Sequence, residues 1–325
     1  MAFGVSSVAK NEGSVKKEVD YNAMNKHVVE TANLLQPETL VGYVSAIVDL
    51  GEQDQPDAEY VFEGNAEAEA AEIEKNPNTY FKDGVDEKTK KKVRLKCWPQ
   101  RPIQSVAVAV DFPDIIVDKG QFFGTSNPQP LRLWLGGQFY IHDVGMVIGR
   151  PTPLKITKAT GAWSFDKKHL FHKMAVTSKL ITPDDVFLPQ QIDQLLGKAF
   201  QFQAHVYFKE NKGKQYYTEN VKFIGGLGRG QAQPEIISDL VLIQFNEEND
   251  ETSLGSLRNH VLNTIRRAKN FEGSKLQAQL EAKGFDSKAT PSEDQPEDKP
   301  ISKVTPAKVK AKVEVDDMDD DMIPF

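Results

Sequence analysis

SVAVAVDF, residues Ser105–Phe112, alternates valines with small side chains and closes on an aromatic ring. Period-two alternation puts every second side chain on one side of an extended chain, and apolar residues on both sides suit a strand covered on one or both faces. Moving outward, similar runs recur. Leu40–Leu50 (LVGYVSAIVDL) and Lys92–Trp98 precede it, and Ile103–Phe112 contains it. Leu131–Leu135, Phe139–Ile148, Leu154–Thr157, Ala199–Lys209 and Gln215–Ile224 follow. Turn residues punctuate the series: KDG at 82–84, FPD at 112–114, SNPQP at 126–130, GG at 136–137, GRPTP at 149–153 and NKGK at 211–214. The runs on either side of NKGK are expected to form a hairpin. Among these strand-like runs Pro183–Lys198 has helical spacing, through Leu188, Ile192, Leu195 and Leu196, with Gly197 near its end. Many short strands and one intervening helix predict a mainly β fold, specifically an elaborated OB-fold barrel with insertions and peripheral helices.

The flanks divide the rest of the chain. Residues 1–36 are a polar N-terminal extension with weak helical spacing at Met24, Val28, Val29, Leu34 and Leu35. The barrel domain spans 37–250. It carries an acidic, Ala-rich insertion at about 52–90, expected as a short exposed helix or a solvated excursion. A helical region follows at 251–285, with Leu254, Leu257, Val261, Leu262, Ile265, Ala268, Leu276 and Leu280 as an amphipathic face to pack on the barrel. Residues 286–313 contain Pro291, Pro296, Pro300 and Pro306 among Lys, Ser, Glu and Asp, with no aromatic, which is the composition of a disordered linker. Residues 314–325 form an acidic tip.

The chain has 325 residues, 39% hydrophobic and 27% charged. That balance excludes collagen-like and wholly disordered classes. One cysteine, Cys97, excludes an internal disulfide framework and multi-cysteine zinc sites. No apolar run is long enough to span a membrane and no signal peptide is visible, so the cytoplasm is the default compartment. The net charge of −7 hides a strong segregation. Residues 1–87 carry −12, residues 88–223 carry +11, residues 224–285 carry −1 and residues 286–325 carry −5. A basic centre between acidic arms suggests a polyanion-binding surface.

Aromatic rings sit among those bases. Lys90, Lys91, Lys92, Arg94, Lys96 and Arg101, with Lys88, surround Trp98. The run KATGAWSFDKKHLFHK interleaves Lys158, Trp163, Phe165, Lys167, Lys168, Phe171 and Lys173 and would suit a loop closing over a strand. KGKQYYTENVKF supplies Lys214, Tyr216 and Tyr217 near the expected hairpin tip, with Lys212 and Lys222 beside them. In LRLWLGG, alternation places Arg132 and Trp134 opposite Leu131, Leu133 and Leu135, and that side is either a DNA contact or core. Phe112, Phe202, Phe208 and Phe245 read as core. Cations that follow phosphates and rings that stack on bases are what sequence-independent single-strand binding needs. Catalytic patterns are weak. GGLGRG (225–230) lacks the Lys-Ser/Thr of a phosphate loop, and His169 and His172 have no Cys or carboxylate cluster to complete a metal site.

The most specific feature is the end of the chain. Asp316, Asp317, Asp319, Asp320 and Asp321 precede Met322, Ile323, Pro324 and Phe325. A terminal Phe offers a partner a ring and an α-carboxylate on one residue, with an acidic rim behind them. DDDMIPF closely resembles the DDDIPF ending of bacterial single-stranded DNA-binding proteins, with Met322 added. The layout of body, Pro-rich linker and acidic tip is similar too, but the body is longer and begins later. In that respect the chain looks more like the diverged single-stranded DNA-binding proteins of tailed phages.

The resemblance implies a non-enzymatic protein that coats and protects single-stranded DNA during replication, recombination and repair, without a cofactor or metal. It implies host cytoplasm for a phage-encoded chain. It also implies recruitment of a polymerase, helicase or primase, or nuclease through the tip, and allows a homo-oligomer. A strand-annealing or recombination-mediator protein is the alternative. A magnesium-dependent nuclease stands further off, because the carboxylates concentrate outside the basic centre, and so does an adaptor without DNA binding, whose main argument is the acidic N-terminal third. A 28-residue linker has a root-mean-square reach of about 30 Å, so the tip samples its own body at roughly millimolar effective concentration. Deleting Asp316–Phe325 is therefore expected to raise affinity for an oligo-dT strand and to change its salt dependence in fluorescence anisotropy; unchanged values would remove the tip from strand competition.

Overall fold

Val106, Val108 and Val110 point to one side of their strand and Ala107 and Ala109 to the other, and all five are buried. Their strand therefore runs through the middle of the protein with a core on each face. We describe it from a computed structural model covering residues 20–86, 89–141, 145–148, 150–159, 162–211 and 214–284. Side chains at 138–141, 145–147, 159, 162, 163, 211, 214 and 215 are outside that description. So are Lys88, Lys212, the linker at 286–313 and the acidic tip at 314–325.

In chain order the elements are α1 (Tyr21–Ala32), β1 (Glu38–Gln53), β2 (Ala58–Phe62), α2 (Ala66–Lys75), β3 (Tyr80–Val85), β4 (Lys92–Trp98) and β5 (Ile103–Asp118). Then come β6 (Pro128–Trp134), β7 (Gln138–Ile141), β8 (Gly145–Ile148), β9 (Thr152–Pro153), β10 (Ile156–Ala159), β11 (Ala162–Phe165) and α3 (Leu170–Thr177). The last are β12 (Ala199–Asn211), β13 (Lys214–Gly225), β14 (Val241–Ile243), α4 (Glu251–Ser256), α5 (Asn259–Ile265) and α6 (Lys275–Ala282). The protein is mainly β. Its largest sheet runs β6-β5-β1-β12-β13-β7-β8, with β14 beside β1 and β9 beside β5; β2-β4-β3 and β10-β11 form smaller sheets. All pairings are antiparallel except β1 with β14. Among the described residues no helix is long and apolar enough to cross a membrane.

β1 is the shared strand. Glu38–Tyr43 pairs with β12, and Tyr43–Gln53 pairs with β5. Bulges after Val44 and Asp49 let one strand serve both neighbours, because an extra residue bends the chain without breaking the ladder. On one side of this sheet, valines and Phe112 pack with α1, α3 and Phe200, Phe202 and Val206 of β12. On the other, Ala46, Ala107 and Ala109 meet Leu254, Val261, Leu262 and Ile265 of the C-terminal helices. Alanine on that face leaves room for helices to lie close.

Several expectations are corrected. FPD is no turn: β5 continues to Asp118, and a bulge between Phe112 and Ile116 against β6 accommodates Pro113, which has no N–H to donate. KDG lies inside β3, with Gly84 opposite Val93. Pro183–Lys198 yields only a 3-10 stretch at Pro189–Leu195, which buries Ile192 and Leu195. The region 254–282 is three short helices, since Leu257 caps α4 in an extended conformation and Gly273 (φ 78°) precedes α6. The polar extension contains α1, which Asp20 caps through the Ala23 N–H and which sinks Val28, Val29 and Ala32 into the first core. The GG signal does mark a turn. Gly136 and Gly137 have φ of 78° and 75°, and a Cβ on Gly137 would lie 2.2 Å from the Glu219 carbonyl oxygen.

One polar cluster sits among these apolar layers. Asp111 of β5, 1% exposed, accepts from Arg132 Nε (2.7 Å) and Nη2 (3.0 Å) of β6 and from Ser45 Oγ (2.6 Å) of β1. Ser238 Oγ also donates to it, and Tyr43 OH lies 2.9 Å from the same hydroxyl. Asp111→Asn leaves a buried guanidinium contact uncompensated and is expected to cost on the order of 2–4 kcal/mol in urea unfolding; a loss below about 1 kcal/mol would show that the cluster is solvated.

A second consequence concerns pH. The His260 ring packs edge-on against Trp134, 6.2 Å between centroids, and burial lowers its pKa to about 4, helped by Arg258 and Lys119. The unfolded chain, with an ordinary histidine near 6.5, binds the proton first. Stability is therefore fully present above about pH 6.5 and falls as pH drops toward 4. Replacing His260 with Gln is expected to flatten that part of the pH–stability curve, by an amount on the order of 3 kcal/mol across the window.

Candidate nucleic-acid interface

The basic run 90–101 lies on and beside β4, the middle strand of the small sheet. Strand alternation puts Lys92, Arg94, Lys96 and Trp98 on one face and Val93, Leu95 and Cys97 on the other. α2 supplies carboxylates to two of those bases. Arg94 binds Glu69 with two bonds (2.8 and 3.0 Å) and Asp83 with one (2.9 Å), and Lys96 binds Glu72. The Arg94 hydrogen bond holds the Glu69 carboxyl below its usual range, and Lys96 does the same for Glu72. The acidic insertion is thus no free-standing excursion. It neutralises part of the basic strand, and Arg94 and Lys96 are not available as free phosphate contacts.

Other groups of the run stay open. Lys90, Lys91, Lys92 and Arg101 are exposed, and no ion pair engages their side chains among the described residues. Trp98 stacks on Tyr60 of β2, with centroids 5.1 Å apart and planes 2° apart, and Lys96 Nζ lies 5.6 Å from the Trp98 ring centre. Tyr60 is 61% exposed. A single sequence does not show that pairing, because Tyr60 comes from a strand 38 residues upstream of Trp98. Cys97, beneath this face, is buried, and burial raises its thiol pKa.

The segment 158–173 sorts itself by polarity. Lys158, Lys168 and Lys173 are exposed, and Lys167 makes a 3.0 Å surface pair with Asp184. Phe165 and Phe171 are buried in the first core, so they are withdrawn as base-stacking rings. The interleaving that suggested a strand-closing loop is the pattern of a hairpin and a helix half-sunk in the core. His169 caps α3 through the Phe171 N–H, and its Nε2 meets the Pro153 carbonyl oxygen (3.0 Å). Trp163 falls in β11 and Lys214 opens β13, but their side chains lie outside the described residues.

Three further candidates are also corrected. Trp134 is 9% exposed in the second core, and its backbone N–H donates to Glu219 Oε1 (2.9 Å). Arg132 is held by Asp111 and also donates to the Asp239 carbonyl (3.1 Å). Tyr217 is buried, and its hydroxyl donates to Glu219 Oε2 (2.9 Å). Tyr216 instead shares the outer face of the β12–β13 hairpin with Lys209, Lys222, His205 and Tyr207. The last two rings stack at 3.9 Å and 16°. Tyr207 and His205 went unnoticed in the sequence, although their i, i+2 spacing against buried Ala204 and Val206 was the available signal.

Among the described residues no three His, Cys, Asp or Glu side chains gather to hold a metal ion. Comparison with family models, with curated proteins and with solved structures finds no match to this chain.

Proposed function

We propose that this chain binds single-stranded DNA without regard to sequence and recruits replication and recombination proteins through its acidic C-terminal tip. The observation that carries the reading is the stack of exposed Tyr60 on half-buried Trp98, with the unpaired cation Arg101 three residues beyond Trp98 and Lys90, Lys91 and Lys92 at the other end of the same strand. A ring pair offers a π-face that any base can extend, and mobile cations exchange counterions for phosphates. The outer face of the β12–β13 hairpin adds Tyr207, Tyr216, Lys209 and Lys222 in the same mixture. We also read the large sheet as an OB-type barrel with insertions. Two features support this: β1 serves two neighbours, and the Gly136 N–H reaches the Val221 carbonyl (3.3 Å), which brings the end of β6 beside β13.

Fluorescence anisotropy of a labelled oligo-dT strand tests the reading. Trp98→Ala is expected to weaken binding roughly tenfold to hundredfold, and Trp98→Tyr, which keeps a stacking ring, to recover most of it. The double change Lys91→Gln and Lys92→Gln is expected to lower the slope of log affinity against log salt by about 1.4, or 0.7 for each phosphate contact. A folded Trp98→Ala protein that binds like the parent would overturn this interface; absence of binding by the parent at low salt would overturn the function.

A further inference from the structure

On the face of the large sheet that the C-terminal helices cover, three cations converge. Lys119 follows the end of β5, Arg132 lies on β6 and Arg258 immediately precedes α5. All three line two adjoining cavities of about 260 and 290 Å³. Ser256 lines both, and Trp134 and His260 line the first.

Two of the three cations have no direct partner among the described residues. Arg132 is committed to Asp111. Lys119 and Arg258 have no ion pair or side-chain hydrogen bond among the described residues. Of the nearby acids, Asp111 is held by Arg132, Ser45 and Ser238 and Glu219 by Tyr217 and the Trp134 backbone N–H, while the exposed Asp239 on the rim of the second cavity makes no ion pair with Lys119 or Arg258 among the described residues. His260 Nε2 is buried with no partner. Lys119 is half-buried, and burial with the neighbouring Arg258 pushes it down to about 8, while Arg258 itself is exposed at the rim of the cleft. Gathering like charges in a partly enclosed space opposes folding, and such arrangements concentrate at sites where a ligand supplies the missing charge.

We propose that the Lys119–Arg132–Arg258 cleft is a binding pocket for a single phosphate group. Guanidinium forks and an ammonium match the oxygens of a tetrahedral dianion, with His260 Nε2 available as a further polar contact. The cavity has room for the phosphate and the group esterified to it, which admits inorganic phosphate, a nucleotide or a phosphate of a DNA strand. The pocket uses none of the elements of the Tyr60–Trp98 stack, so it stands whether or not the strand-binding reading holds.

Thermal unfolding of the full chain in phosphate and in chloride, at matched ionic strength, tests it. Saturating phosphate is expected to raise the melting temperature by roughly 3–5 °C. Lys119→Met and Arg258→Met are each expected to lose most of that rise, while melting in chloride at or above the parent temperature because a repelling charge has gone. No phosphate-specific rise in the parent, or an equal rise in both variants, would overturn the pocket. Phosphorus NMR of bound inorganic phosphate then separates the sources, each outcome supporting the site. Displacement by a 5′-phosphorylated oligo-dT but not by its 5′-hydroxyl form identifies a strand end. Displacement by both identifies a backbone phosphate, and displacement by neither identifies free phosphate or a nucleotide.

Discussion

Asp111 holds the large sheet to its surroundings. Its carboxylate is buried between two apolar layers, where an unpaired charge is costly, and it is satisfied only when β1, β5, β6 and the segment around Ser238 arrive together. Tyr43, through the Ser238 hydroxyl and the Ile237 N–H, extends the same network. A hydrophobic core tolerates small slips of register, because one apolar contact replaces another. A bidentate carboxylate–guanidinium pair does not. The cluster therefore specifies which residues of β5 and β6 face each other, while the valines and alanines around it supply most of the burial.

The segregated charge along the chain takes on a different meaning once folded. The acidic insertion and the basic strand that follows it are far from independent surfaces: Glu69 and Glu72 of α2 return to Arg94 and Lys96 of β4. Exposed pairs of this kind contribute little stability, but they decide which cations remain free. What is left open is narrower than the sequence suggested, namely Lys90–Lys92, Arg101, the exposed Lys158, Lys168 and Lys173 and the outer face of the β12–β13 hairpin. Elsewhere the balance tips the other way. Lys119 and Arg258 lie far apart in the sequence and meet only because the C-terminal helices pack across the sheet from β5 and β6.

The aromatic residues follow one physical rule with two outcomes. A ring flanked by lysines is either a stacking surface or the buried half of an amphipathic element whose lysines reach solvent. Phe165 and Phe171 take the second outcome, because β11 and α3 each need an apolar side to close the first core. Trp98 joins neither core: half-buried, it lies flat against the exposed Tyr60 of its small sheet.

Much of this protein was legible in local pattern. The alternation in SVAVAVDF, the bounds of Lys92–Trp98, the hairpin around NKGK and the core positions of Phe112, Phe202 and Phe245 all follow from side-chain periodicity, which is a property of neighbours in the chain. The acidic tip ending in Phe325 is likewise a property of sequence alone. Tertiary structure decided the rest. It carried β5 through Pro113 by a bulge, divided one helical pattern into α4, α5 and α6, and turned Trp134, Phe165, Phe171 and Tyr217 inward. It set Tyr60 on Trp98 and brought Lys119 to Arg258. Each of those outcomes depends on which distant strand or helix competes for the same side chain, and periodicity, being local, carries no information about that competitor.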